Sequence, residues 1–177
     1  MILGFKFGQV MKMSIVKRWG IIDMSRSQSV AEHSYNVAQI SRAIVKHIRD
    51  IDFGLIDNDQ MAQITSWALD HDITEVVTGD IPTPLKAMMN GTFEQNEAKL
   101  FPSYIGLKIG LGELVLTVVK IADYVDAIQF MNMYCVEKKG PRFHIMSEMM
   151  TKMTESMDNL ENLTGVSVHE LVDSWLN

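Results

Sequence analysis

The stretch Ser29–Ile48, SVAEHSYNVAQISRAIVKHI, decides the fold. Within it His33, Val37, Ile40, Ile44 and Ile48 recur in steps of four, three, four and four, which puts them on one face of a 3.6-residue helix. Ser29 with Glu32 three residues later predicts the start of that helix, as a capping box in which each side chain satisfies the other's backbone N–H. The same period continues along the chain. Met61, Ile64, Ala68, His71 and Glu75 make a second stripe, and Leu111, Leu114, Val118, Ile121, Val125 and Ile128 a third that is expected to run on to Glu137. Ile145, Met149, Met153, Met157 and Leu160 make a fourth, ended by Gly165. Ser167 with Glu170 predicts a capped last helix bearing Leu171, Trp175 and Leu176. Two more helices are predicted, one near Phe5 to Val16 and one after Thr92, where Gln95 completes a third box. Arg18 to Gln28, Thr78 to Pro84, Pro102 to Gly112 and Lys138 to Arg142 read as loops. No run alternates with period two between turn signals, so strands are not supported. The expectation is a single all-α domain spanning residues 1–177, built of about six or seven helices.

Charge and composition narrow the partners. With 16 Lys plus Arg against 22 Asp plus Glu, the net charge of −6 argues against long nucleic acid as the main partner. The most apolar stretch, Ile105 to Ile128, carries Lys108, Glu113, Lys120, Asp123 and Asp126, which argues against a membrane span. Cys135 is the one cysteine, so no intrachain disulfide is expected, and a reducing compartment is the default. Met1 to Met13 is broken by Gly4, Lys6, Gly8, Gln9 and Lys12 and does not read as a signal peptide. A cytoplasmic protein is therefore expected. Of the 14 methionines, Met146, Met149, Met150, Met153 and Met157 crowd into one late helix, and they are read as core or subunit-interface filler rather than metal ligands.

Three of the core stripes contain groups a core should not want. His33 lies on an apolar helix face, His71 followed by Asp72 ends the next stripe, and Asp123 sits among the apolar residues of the third. A buried aspartate without a partner is very costly, so it calls for a cation or several donors. Helical folds build metal sites by delivering His and acidic side chains from several helices to one interior. Imidazole with carboxylate suits a divalent transition metal such as Zn, Co, Mn or Fe. Taken singly, each of these residues also fits an ordinary structural role. Adjacent helical positions point about 100° apart, so His71 and Asp72 can share an ion only if the helix bends or ends there. Thr78-Gly79-Asp80-Ile81-Pro82 is consistent with such an ending.

Arg18-Trp19, Ala31-Glu32-His33-Ser34, Ala68 to Glu75 (ALDHDITE), Thr78 to Lys86 (TGDIPTPLK) and Lys120-Ile121-Ala122-Asp123 occur in one order. Together they resemble the HD-domain phosphohydrolases, and within them the 5′-deoxynucleotidase group; the motif-bearing part is about residues 16–128. The resemblance implies an HD-domain helical bundle in which His33, His71, Asp72 and Asp123 hold one divalent metal. It implies that Glu75 is the catalytic carboxylate, that Arg18 meets the phosphate or base side, and that Trp19 packs on the sugar and excludes a 2′-hydroxyl. Asp80 corresponds to the partner of the 3′-hydroxyl, and Lys86 and Lys120 to positions facing the phosphates. Asp126 is set aside, because the Lys-x-x-Asp pattern selects Asp123, and His47, His144 and His169 have no matching context.

The implied reaction is hydrolysis of the 5′ phosphoester of 2′-deoxynucleotides. The short length resembles the small phage members that strip triphosphate from dATP, and Mg would then accompany the substrate phosphates. Hydrolysis of deoxynucleoside monophosphates is the alternative, and a non-catalytic nucleotide-binding HD protein the second. A homo-oligomer, dimer or hexamer, is implied by the same group.

Overall fold

The apolar periodicity becomes helix along the described chain: α1 Phe7–Val10, a 3-10 turn Met11–Ser14, α2 Val30–Ile51, α3 Asn58–Asp70, α4 Glu75–Thr78, α5 Thr83–Met88, α6 Thr92–Leu100, α7 Pro102–Gly110, α8 Glu113–Tyr134, α9 Pro141–Thr164 and α10 His169–Leu176. The computed structural model describes residues 1–136 and 141–177, and the backbone alone at 83, 84, 87, 141 and 142. Among the described residues extended pairing is limited to isolated bridges, of which Lys17 with Ser29 closes the loop between Arg18 and Gln28. The all-α expectation holds.

Helix α2 is the centre of the bundle. It packs against both α3 and α8; α8 is in turn covered by α9 and touches α3. Val37, Ile44 and Ile48 from α2, Ile64 and Ala68 from α3, Val118, Ile121 and Val125 from α8, and Met153, Met157 and Leu160 from α9 form one apolar cluster. Two late-helix methionines are therefore core, whereas Met150 and Met133 are exposed. No helix of the described residues is long and apolar enough to cross a membrane.

Several local expectations are corrected. The stretch from Pro102 is not a loop but α7, with Pro102 at the first helical positions, where its missing N–H costs nothing. Phe5 to Val16 splits into α1 and a 3-10 turn rather than one helix. Ser29 caps α2 by accepting from Glu32 N at 3.1 Å, but the Glu32 carboxylate turns to Arg26 instead of closing the box. Thr92 is inside α6, whose cap is Gly91 at φ +79°, and the cap of α10 is Val168 rather than Ser167. α8 ends at Tyr134, and Pro141 with Arg142 already belongs to α9; the predicted end at Glu137 and the loop at 138–140 lie outside the described residues. Gly165, at φ +71°, does end α9.

Replacing fully buried Ile121 with Ala is expected to cost about 2–5 kcal/mol, and Ser29→Ala about 1 kcal/mol through the lost cap. Urea unfolding of the two variants checks both.

Candidate metal centre

The end of α3 creates the site. His71 caps α3, the chain turns through Ile73, and α4 starts at Glu75, held by Ile73 N donating to Asp70 O and Glu75 N to Asp72 O, each at 3.0 Å. Leaving the helix at that point lets His71 and Asp72 face one centre, as the spacing argument required. The turn is braced from α7, where the Tyr104 hydroxyl donates to the His71 carbonyl at 2.5 Å and its ring packs on Trp67.

Opposite stands His33, fully buried on α2. His33 Nε2 lies 3.3 Å from His71 Nε2 and 3.5 Å from Asp72 Oδ2, and His71 Nε2 lies 3.4 Å from the same oxygen. Asp123 Oδ1 reaches His33 Nε2 at 3.3 Å, while its other oxygen accepts from Lys120 at 2.8 Å. Asp123 thus joins on the His33 side of the cluster, and the trio His33, His71 and Asp72 forms its tight part.

The tautomers test whether a cation fits. His71 Nδ1 faces the Ala68 carbonyl at 2.8 Å, and His33 Nδ1 faces Asp126 Oδ2 at 2.6 Å. A carbonyl and a carboxylate only accept, so both Nδ1 atoms carry a proton, and with the rings neutral both Nε2 atoms present bare lone pairs to each other. Two facing lone pairs repel unless positive charge lies between them. Donors bound at about 2.1 Å around a tetrahedral ion stand about 3.4 Å apart, which is the spacing found. The residues present fit a divalent transition metal.

Burial disfavours charge on every group here, so the net directions are informative. His33 is raised above its ordinary value: burial and Arg18 lower it, but the carboxylates of Asp123 and Asp126, one beside each ring nitrogen, favour the charged ring and overcome them. Burial holds His71 below its ordinary value. Asp72 stays low against burial through His71 and Arg18, and Asp123 falls well below the carboxylate range through Lys120 and His33. Glu75 goes the other way. Burial, with Asp72 and Asp80 beside it, pushes its carboxyl up to about 9. Its Oε2 is buried with no hydrogen-bond partner, and its Oε1 lies 3.9 Å from Lys86 Nζ.

A cavity of about 600 Å³ opens over the cluster, within the range that takes one small ligand. Arg18, Trp19, His71, Asp72, Glu75, Asp80, Lys86, Lys120 and Asp123 all line it, so every residue singled out from the sequence except the fully buried His33 borders one space. Arg18 donates to Asp72 Oδ2 at 3.3 Å. Trp19 lays its indole parallel to Phe130, 3° between planes, and its backbone N donates to Asp80 Oδ2 at 3.1 Å. Lys108 and Lys152 border the same cavity and were not anticipated. Two other histidines have structural partners: His47 meets the Ser167 carbonyl and His169 meets Asp158.

Four supporting residues escaped the sequence reading: Gln28, Asn36, Asp126 and Tyr104. Asp126, set aside there as a false ligand, is the partner that orients His33. One signal was available for it, since Asp126 follows Asp123 by three and must share its buried helix face.

Residues 6–100 match the family model described as 5′-deoxynucleotidase YfbR-like. The chain is 34% identical over 123 residues to a dATP triphosphohydrolase of Salmonella phage PMBT28, covering 69% of this chain and 63% of that protein. It is 38% identical over 80 residues to a 5′-deoxynucleotidase of Shewanella oneidensis, covering 45% of this chain and 40% of that one. The matched part is thus less than two thirds of the length of either relative. In fold it is similar to the cyanophage S-2L HD phosphohydrolase DatZ bound to dA and one catalytic Zn²⁺, with a TM-score of 0.76, 21% identity, and 97% and 92% of the two chains covered.

Zn or Mn at a hundredfold excess over its Kd is expected to stabilise the protein by about 2.7 kcal/mol, read as a rise in Tm that Asp72→Ala abolishes. The raised carboxyl of Glu75 makes a second prediction. Its unfolded form loses the proton near the ordinary 4.5 and its folded form only near 9, so in the metal-free protein this group removes stability as pH rises between those values. Metal-free Glu75→Gln should therefore be more stable than the parent at pH 8 and lose that advantage at pH 4, as measured by denaturant melts.

Proposed function

The chain belongs to the YfbR-like 5′-deoxynucleotidase family, and on that premise we propose that it is a metal-dependent phosphohydrolase of 2′-deoxynucleoside 5′-phosphates. The observation that carries this reading is the pair of bare imidazole nitrogens, His33 Nε2 and His71 Nε2, 3.3 Å apart beside Asp72. His33, His71, Asp72 and Asp123 would hold the ion, with Zn, Co, Mn or Fe all chemically suited. When bound, such an ion lowers the pKa of water, draws a phosphate oxygen toward it and favours the ionised form of nearby Glu75.

The remaining work falls to the chain. Glu75 Oε2, buried and without a partner, takes the proton of the attacking water. The water oxygen joins the α-phosphorus, the bond to O5′ breaks, and a proton ends on O5′. Arg18, Lys86 and Lys120 neutralise phosphate oxygens from the rim of the cavity. Trp19, one face laid on Phe130, offers its other face to the 2′ side of the sugar and leaves no room for a hydroxyl. Asp80 accepts from the 3′-hydroxyl.

A triphosphate is the favoured substrate and dATP the favoured case, supported by the number of cations around the cavity and by the phage relative. A deoxynucleoside monophosphate is the second reading, supported by the Shewanella relative. The same reading makes the chain one domain, cytoplasmic, and a homo-oligomer, dimer or hexamer.

Incubation with dATP and with dAMP in the presence of Mn or Co, with products identified by mass, tests the proposal. Deoxyadenosine with intact triphosphate is expected; turnover of dAMP alone selects the second reading. Inertness toward both, with metal bound, overturns the enzyme. Glu75→Gln should lower kcat by about 10²–10⁴-fold.

A further inference from the structure

Gln28 joins the two halves of the cavity. It is fully buried, although it ends a loop. Its backbone oxygen accepts from Arg18 N at 3.0 Å. Its Oε1 accepts from Trp19 Nε1 at 2.9 Å, and its Nε2 donates to Asp126 Oδ2 at 2.8 Å. That oxygen also accepts from His33 Nδ1 at 2.6 Å, while Asn36 Nδ2 donates to Oδ1 at 2.8 Å. An indole N–H only donates and a carboxylate only accepts, so the amide is held in one orientation, oxygen toward Trp19 and nitrogen toward Asp126. Three donors, from His33, Asn36 and Gln28, thus converge on one buried carboxylate and fix its orientation. Trp19 sits at φ +71°, a strained region for a residue with a side chain, and such a conformation persists only where surroundings over-determine it. The bonds to Gln28 and Asp80 supply that.

We propose that Gln28 and Asp126 are positioning residues that lock the sugar-facing indole of Trp19 and the metal-facing nitrogen of His33 into one register, so that sugar selectivity and metal affinity are set together. The proposal rests on the roles given above to Trp19 and His33. Neither Gln28 nor Asp126 touches substrate or ion in it; both act through the residues they hold.

The test uses the full chain with two substitutions. Gln28→Met keeps the side-chain length and removes both amide bonds; Trp19→Phe keeps a flat ring and removes only the indole donor. Metal Kd is measured without nucleotide, by competition with a chromophoric chelator, using Zn. Selectivity is measured as the ratio of kcat/KM for dATP to that for ATP. Gln28→Met should weaken Zn binding and reduce the ratio, each by about tenfold. Trp19→Phe, although remote from the donor nitrogens, should weaken Zn binding by about threefold. A merely structural role would lower Tm and leave Zn affinity and the ratio in place, which overturns the proposal. So does a Gln28→Met protein in which only one quantity moves, or unchanged Zn affinity in Trp19→Phe. If Gln28→Met does not fold, Trp19→Phe decides. A parent protein that binds no Zn, or does not prefer dATP to ATP, fails the functional reading first, which keeps the two failures apart.

Discussion

Two imidazoles, that of His33 fully buried and that of His71 at the cavity wall, are held with their Nε2 atoms facing each other, and the rest of the site follows from that constraint. Each ring is fixed from behind: His71 by the Ala68 carbonyl of its own helix end, His33 by Asp126 across the α2–α8 contact. Neither ring can turn away without abandoning a buried hydrogen bond, a loss of about 1–3 kcal/mol for the group left unpaired. The arrangement therefore stores repulsion that positive charge relieves. Asp123 and Asp126 raise the pKa of His33 in spite of complete burial, so the site favours positive charge at that ring.

Helix packing delivers this geometry with few residues. α2 brings His33, α8 brings Asp123 and Asp126 one turn apart on the same face, and the termination of α3 brings His71 with Asp72. Tyr104 reaches in from α7 to brace that termination. The cavity lining brings Arg18, Lys86, Lys108, Lys120 and Lys152 together with carboxylates that include Asp72, Glu75, Asp80 and Asp123. Lys and Arg side chains beside a metal-fitting cluster, over a space of about 600 Å³, suit one small anionic ligand better than a polymer.

Much of this was legible in the sequence, because the ligand candidates break a strong helical period. His33 and Asp123 stand out only where the neighbours are apolar at the right spacing, and the need for α3 to end at His71 follows from 3.6 residues per turn. What was not legible depends on distance along the chain. Gln28 meets Asp126 across 98 residues, and Tyr104 meets His71 across 33, with no local pattern to announce either. α7 is hard to read from the sequence because Gly106 and Gly110 are poor helix formers, whereas Pro102 at the helix start is harmless and packing of Tyr104 on Trp67 supports the rest. The boxes at Thr92 and Ser167 failed for a related reason: a cap is a backbone conformation, and Gly91 and Val168 adopt it instead.

The central claim is that one divalent ion lies between His33 and His71. Anomalous diffraction from a crystal grown with Zn would test it most directly. One anomalous peak about 2.0–2.2 Å from both Nε2 atoms, with Asp72 and Asp123 oxygens alongside, is the predicted result. A map with no peak between the rings, and with either imidazole rotated so that its Nε2 turns out of the cluster, would contradict it.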